Sequence, residues 1–301
     1  PDGARIAASR ERRFPNACPT VEVVVYETGG GDARVLASGW DRWAAPQAWA
    51  EDGRGLLVTA DDDGYVPVFQ LPLEGEGEPE RITAAAAGGS HAAVAPVPGR
   101  AELVGIRSRI THPPEPFRCA LERDATPELL GCLSGLPPEE GERIARWESL
   151  HAEGEDGTPV QTFLVTPAGS EGPSPTLLWI HGGPISAWSD GWHWRWNPLV
   201  AAAAGYALAL PNPRGSTGFG HDFIAGIWGN TWGEACYGDL LRVTETVAAR
   251  PEVDGDRIAA MGGSFGGYMA NWIGGQTDRY RCLVTHASLF DLSAFYGVTD
   301  V

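Results

Sequence analysis

The hydrophobic pattern changes character about halfway along the chain. Through the first half, short apolar runs alternate with turn signals. Val21–Tyr26, Leu56–Thr59 and Val66–Leu71 read as β-strands bounded by Gly, Asp or Pro. The pattern also repeats. Asp2-Gly3 leads into Ile6-Ala7-Ala8, Asp52-Gly53-Arg54 into Leu56-Leu57-Val58, and Pro98-Gly99-Arg100 into Leu103-Val104. A second marker, Val35-Leu36, Ile82-Thr83 and Leu129-Leu130, recurs in step. The period is about 46–50 residues, which predicts blades of four short strands stacked as in a β-propeller. About three blades are visible. Repeat units bury their faces only against neighbours, so further blades are expected before Pro1.

Gly135–Glu142 is rich in Pro, Gly and Glu and reads as a linker. Beyond it, strand and helix patterns alternate. Gln161–Thr166, Thr176–Ile180, Tyr206–Leu210, Arg257–Met261 and Cys282–Thr285 read as strands. Asn197–Ala204, Tyr237–Arg250 and Gly267–Gly274 read as helices, the second with Leu240, Leu241, Val243 and Val247 on its apolar face. Such alternation predicts a mostly parallel sheet with helices on both faces. The expected division is residues 1–145, a partial β-propeller, and residues 146–301, an α/β domain.

Two motifs carry chemistry. Gly262-Gly263-Ser264-Phe265-Gly266 contains G-x-S-x-G between a strand and a helix. A serine nucleophile must stand exposed on a tight turn, and side chains at 262 or 266 would clash there. The same serine in a plain turn would merely cap the helix; the strand-turn-helix context favours the nucleophile. The second motif is His181-Gly182-Gly183-Pro184, directly after a strand. Acyl transfer needs two N–H donors aimed at the oxyanion. In the α/β-hydrolase fold one comes from the residue after the nucleophile, here Phe265. The other comes from an earlier Gly-rich loop, here Gly182 or Gly183. His181 is read as orienting that loop rather than as a general base.

Composition narrows the setting. The net charge of −17 argues against nucleic acid or an anionic membrane as the main partner. The basic residues are all Arg, with abundant Ala, Gly and Pro, which points to a GC-rich, bacterial source. Cys18, Cys119, Cys132, Cys236 and Cys282 are odd in number and form no close pair, so neither a disulfide framework nor a zinc site is expected. With no apolar run of membrane length and no leader pattern, a cytoplasmic location is expected. No nucleotide loop or metal-ligand cluster is visible, and no cofactor is expected.

The strings Trp179–Pro184, Pro211–Gly220 and Gly263–Met269, with Asn271-Trp272-Ile273 and Thr277-Asp278-Arg279, resemble the prolyl oligopeptidase family of serine peptidases. The resemblance is strongest to its acylaminoacyl-peptidase and dipeptidyl-peptidase branch and covers about Thr176 to Val301. It implies an N-terminal propeller that restricts access to a C-terminal hydrolase domain, and cleavage of short peptides. Some relatives have Tyr at the position of His181 and use its hydroxyl at the oxyanion; here a backbone N–H of Gly182 or Gly183 takes that role. The resemblance also places Phe295 and Tyr296 in the segment that lines the pocket for the residue preceding the scissile bond; plain core packing is the competing reading. The aromatic stretch Trp188–Trp196 reads either as a substrate channel or as structural packing between domains.

A serine nucleophile needs a base and an orienting acid, in the order Ser, Asp or Glu, His. After Ser264 the sequence holds one His, His286, at the end of the next strand and too early for that order. Asp291 is a slightly better candidate for the acid. The chain is therefore expected to be a fragment, cut at both ends and hydrolysing peptides at background. The alternatives are a carboxylesterase on the same scaffold and a non-catalytic propeller that binds a partner.

Overall fold

The computed structural model describes residues 3–51, 53, 55–74, 77–229 and 231–298. Of the repeat markers, Asp2, Asp52 and Arg54 lie outside the described residues. The chain divides into two compact units. The first holds the residues up to Glu140 together with Ser189–Arg195 and Thr217–His221. The second holds Gly141–Trp188, Trp196–Ser216 and the remainder from Asp222.

The first unit contains three antiparallel sheets, each built from consecutive strands. The first comprises β1 (Arg5–Phe14), β2 (Ala17–Glu27) and β3 (Arg34–Leu36). The second comprises β4 (Ala44–Trp49), β5 (Gly55–Ala60), β6 (Val68–Pro72) and β7 (Glu80–Arg81). The third comprises β8 (Ser90–Pro96), β9 (Glu102–Arg109), β10 (His112–Ala120) and β11 (Glu128–Leu129). The markers Val35-Leu36, Ile82-Thr83 and Leu129-Leu130 thus fall at the close of successive sheets. Strand β5 explains the stacking. All six of its residues are buried. Leu56, Val58 and Ala60 pack in one core with Val23, Leu36 and Leu71. Leu57, on the opposite face by the two-residue period, packs in another with Val94, Leu103 and Phe117. Each such buried side chain contributes about 1.5–3 kcal/mol. The loop Ser189–Arg195 is held by Asp190, whose fully buried carboxylate accepts from Gly89 N at 2.8 Å, Ile110 N at 2.9 Å and Arg109 Nε at 2.9 Å.

Between these sheets and the next strand stands a short helix, α1 (Pro138–Ile144). The stretch expected to be a linker is therefore partly helical; Glu139 and Glu140 in its first turn favour the positive end of the helix dipole.

The second unit is built on one six-stranded sheet in the order β12-β13-β15-β14-β16-β17. These are β12 (Ala145–Glu153), β13 (Pro159–Pro167), β14 (Ser174–Ile180), β15 (Ala207–Pro211), β16 (Val253–Gly263) and β17 (Leu283–His286). Pairs β14–β15, β14–β16 and β16–β17 are parallel, whereas β12–β13 and β13–β15 are antiparallel. The helices are α2 (Pro198–Ala203), α3 (His221–Ala225), α4 (Trp232–Ala248), α5 (Phe265–Gln276) and α6 (Leu292–Tyr296). Helix α4 buries Cys236, Leu240, Val243 and Val247, one stripe at helical spacing. Helix α5 buries Met269 and Ile273. Both meet Leu164, Leu178, Ile180, Ala209 and Ala260 of the central strands in the main core.

Candidate active site

The glycines of the G-x-S-x-G turn are dictated by backbone approach. A Cβ at Gly262 would lie 2.4 Å from the carbonyl carbon of Gly266, and one at Gly266 would lie 2.1 Å from the carbonyl oxygen of Ile180. Neither obstacle can swing away. The turn therefore closes only with glycine at both places, and it forces Ser264 to φ 56° and ψ −121°. A non-glycine residue held at positive φ costs roughly 1–3 kcal/mol and persists where the surroundings over-determine it. Here the Ser264 N–H donates to His286 O at 3.0 Å, and Ser264 O accepts from Tyr268 N at 3.0 Å. The residue is exposed, at the junction of β16 and α5.

Phe265 opens α5, so its N–H has no partner within the helix. Its ring is fully buried, stacked on Tyr268 and tilted on Trp232, which leaves its backbone as the part that faces the turn. Gly182 comes directly over the serine. A Cβ there would lie 3.4 Å from Ser264 Cβ and 4.0 Å from Oγ. Gly183 has φ +124°, a conformation other residues rarely adopt. The two motifs singled out in the sequence thus meet at one point, the exposed Oγ of Ser264.

His181 is buried, and burial pushes its pKa down to about 4. It is neutral at pH 7. Its Nδ1–H donates to Gly182 O at 2.7 Å. Nε2 lies 2.9 Å from Ser216 Oγ, which also lies 2.6 Å from Pro213 O, so one hydroxyl proton serves two acceptors. A neutral ring fixed on both nitrogens suits a brace for the glycine loop and not a base.

Sequence reasoning missed the supports of that loop. Asn212, fully buried, accepts from Trp188 N at 2.7 Å and donates to Trp188 O at 2.9 Å and Gln161 Oε1 at 2.6 Å. Arg214 grips the buried carboxylate of Asp239 through its backbone N at 2.8 Å, Nε at 3.0 Å and Nη2 at 2.8 Å. Its Nη1 reaches Asp156 at 2.9 Å. Hydrogen bonding to Asp239 raises the Arg214 pKa; burial raises that of Asp239, and the hydrogen bonds from Arg214 oppose it. The string Pro211–Gly215 with Ser216 is therefore a buttress. Its residue types, one amide, one guanidinium and one hydroxyl in succession, were the available signal.

Among the described residues the other candidates make no side-chain hydrogen bond to Ser264. Asp291 caps α6, its Oδ1 accepting from Ser293 N and Ala294 N at 3.0 Å each. The His286 ring packs on Trp196. Among the described residues no side chain hydrogen-bonds Ser264 Oγ. Phe295 and Tyr296 lie on α6, with 42% and 81% of their surface exposed in this chain. All five cysteines are free. Among the described residues no group of three or more His, Cys, Asp or Glu is placed to hold a metal, and no helix is long and apolar enough to cross a membrane.

Comparison with known proteins bears on the whole chain. Dipeptidyl-peptidase 5 of Trichophyton schoenleinii is 33% identical over 318 residues, covering 100% of this chain and 42% of its own length. The same protein of Arthroderma benhamiae is equally similar. The chain thus spans less than half the length of the curated relatives it matches. These relatives lend no support to a bacterial cytoplasmic protein. Among solved structures, the Pyrococcus horikoshii acylaminoacyl peptidase shares the fold with a TM-score of 0.81 at 20% identity, over 100% of this chain and 46% of that one. An acylaminoacyl peptidase in complex with Z-Gly-Gly-Phe-chloromethyl ketone does so with a TM-score of 0.79 at 22% identity, over 100% and 46%. The family model for the prolyl oligopeptidase family matches residues 192–301. The resemblance read from the motifs is therefore shown: residues 192–301, which include the strained serine turn, match the prolyl oligopeptidase family.

Proposed function

We propose that the protein is a serine peptidase acting on short peptides through an acyl-enzyme on Ser264. One observation carries the reading: an exposed serine held at positive φ with the Gly182-Gly183 loop within contact of its side chain. Oγ attacks the scissile carbonyl. The N–H of Phe265 and one from Gly182 or Gly183 donate to the developing oxyanion, in a place where removing one such donor costs about 10²–10³ in rate. His181 and Ser216 hold the glycine loop in register. The attack requires a base to take the Oγ proton, and no described side chain hydrogen-bonds Oγ; a histidine brought to this face supplies it.

The same reading assigns residues 1–145 to part of a β-propeller and residues 146–301 to part of an α/β-hydrolase domain. Stacked antiparallel sheets in the first unit and a central run of parallel strands in the second support it. The relatives are a dipeptidyl peptidase and an acylaminoacyl peptidase, so blocked and free peptide N-termini both belong in the assay. The experiment is hydrolysis of aminoacyl, dipeptidyl, N-acetyl-aminoacyl and simple ester substrates by the full-length protein and its Ser264→Ala variant. Peptide turnover that falls at least about 10⁴-fold in the variant is expected. Turnover that survives the substitution, or esters as the only substrates, contradicts the reading.

A further inference from the structure

Gly263, immediately before the nucleophile, has no side chain, and two aromatic edges take the place beside it. A Cβ there would meet Trp196 Cζ2 at 3.5 Å, His286 Cδ2 at 3.6 Å and Trp196 Cη2 at 3.7 Å. These are ordinary contact distances for a Cβ that glycine lacks, so a gap about one methyl group wide separates the indole and imidazole edges from the chain one residue before Ser264.

The indole is braced from several directions. It meets the His286 ring edge-on at 5.2 Å and 73°, and the Trp179 ring at 5.9 Å and 88°. Trp179 in turn meets Trp188 at 5.7 Å, and Trp188 Nε1–H donates to Trp179 O at 2.8 Å. Trp188 is anchored on Asn212. Trp196 also directly precedes Asn197, whose Oδ1 caps α2 by accepting from Leu199 N at 2.9 Å. Such edge-to-face pairs favour one geometry and add about 0.5–1.5 kcal/mol each beyond burial. Trp179 is buried, at 8% exposure, whereas Trp196 is only partly buried and His286 is exposed. The row of rings therefore runs from the core to the surface and emerges beside the serine. A rigid aromatic surface at that place contacts whatever is bonded next to the scissile carbonyl.

We propose that Trp196, backed by His286 and made accessible by Gly263, is a specificity-determining residue that receives a large apolar side chain next to the scissile bond. The proposal rests on the peptidase reading of Ser264. The chemistry is contact between an aliphatic or aromatic side chain and an indole edge held by its neighbours.

The test compares the full-length wild type with Trp196→Ala and Trp196→Phe on two peptide series. One varies the residue on the acyl side of the scissile bond, the other on the leaving side, each through Gly, Ala, Leu and Phe. Trp196→Ala is expected to lower kcat/KM for Leu and Phe about tenfold relative to Gly in one series only, which identifies the side. Trp196→Phe is expected to retain most of the preference. An equal loss for every residue in both series, or no loss, overturns the proposal. If the wild type cleaves esters and no peptides, the peptidase reading fails, and the same comparison on short and long esters decides the wall by itself. Turnover is not needed for a second readout. Indole ¹H–¹⁵N spectra of the 301-residue chain, with the Trp196 signal identified by its loss in Trp196→Phe, are titrated with Phe- and Gly-containing tripeptides. A selective shift with the Phe peptide supports the wall; an unmoved Trp196 signal overturns it.

Discussion

The two units solve different problems with the same residue type. In the first, glycine relieves turns between consecutive strands, and many of its glycines have open space around them: a Cβ at Gly3, Gly53 or Gly99 would meet nothing within 4 Å. In the second, glycine lets backbone approach backbone at the nucleophile, where a Cβ at Gly262 or Gly266 would overlap main-chain atoms. The sheets differ likewise. Sheets of consecutive antiparallel strands need only local turns, whereas the order β12-β13-β15-β14-β16-β17 needs crossovers that deliver loops to one edge of the sheet. The lesson is that chemistry gathers where the backbone is forced, and repetition where it is not.

The largest expected effect tests that contrast directly. Gly266→Ala puts a methyl group 2.1 Å from Ile180 O, a backbone atom, and is expected to cost at least about 3 kcal/mol in guanidinium denaturation. Gly39→Ala, in the first unit, meets nothing within 4 Å and is expected to cost less than about 1 kcal/mol. Equal costs would remove the distinction between forced and unforced glycine.

Next in size is Asp239→Asn. It removes the buried counter-charge of the Arg214 guanidinium, leaving only the exposed Asp156, and is expected to cost about 3 kcal/mol, measured the same way. Because Arg214 belongs to the buttress of the glycine loop, turnover in the full-length protein should fall more than stability alone explains at a temperature where both proteins are folded.

The sequence made the chemistry of the second unit legible through short strings whose residue types are each required: two glycines about a serine, and a glycine pair after a strand. It also showed the period of the first unit, since turns and apolar runs recur together. Less legible was β12, whose half-buried residues include Glu148 and Ser149 and show no clean alternation. Helix α1 hid in a Pro- and Glu-rich stretch that reads as loop by composition. The roles of Asn212, Arg214 and Ser216 depend on partners far away in the chain, Gln161, Asp239 and His181, and no local pattern announces such pairs. Asp291 caps α6, a use of a carboxylate that the sequence alone does not separate from that of a catalytic acid.

A further effect concerns pH. His181 and His91, one in each unit, are both held by burial at a pKa of about 4. The unfolded chain binds their protons near the ordinary value of 6.5, so between those pH values it holds more protons than the folded chain. Stability is therefore full above pH 6.5 and declines as pH falls toward 4, by up to about 3 kcal/mol for each histidine. Denaturation midpoints measured from pH 8 to pH 4 should show the decline, and His181→Gln should flatten it. A slope unchanged by that substitution would mean the ring is not held neutral.

The central claim is that the forced turn at 264 presents a nucleophile. Its most direct test is to treat the full-length protein with a fluorophosphonate and locate the adduct by peptide mass spectrometry. The expected result is a single modified site, Ser264, absent from Ser264→Ala. A modified residue elsewhere, or no adduct on a preparation that turns over substrate, would contradict it.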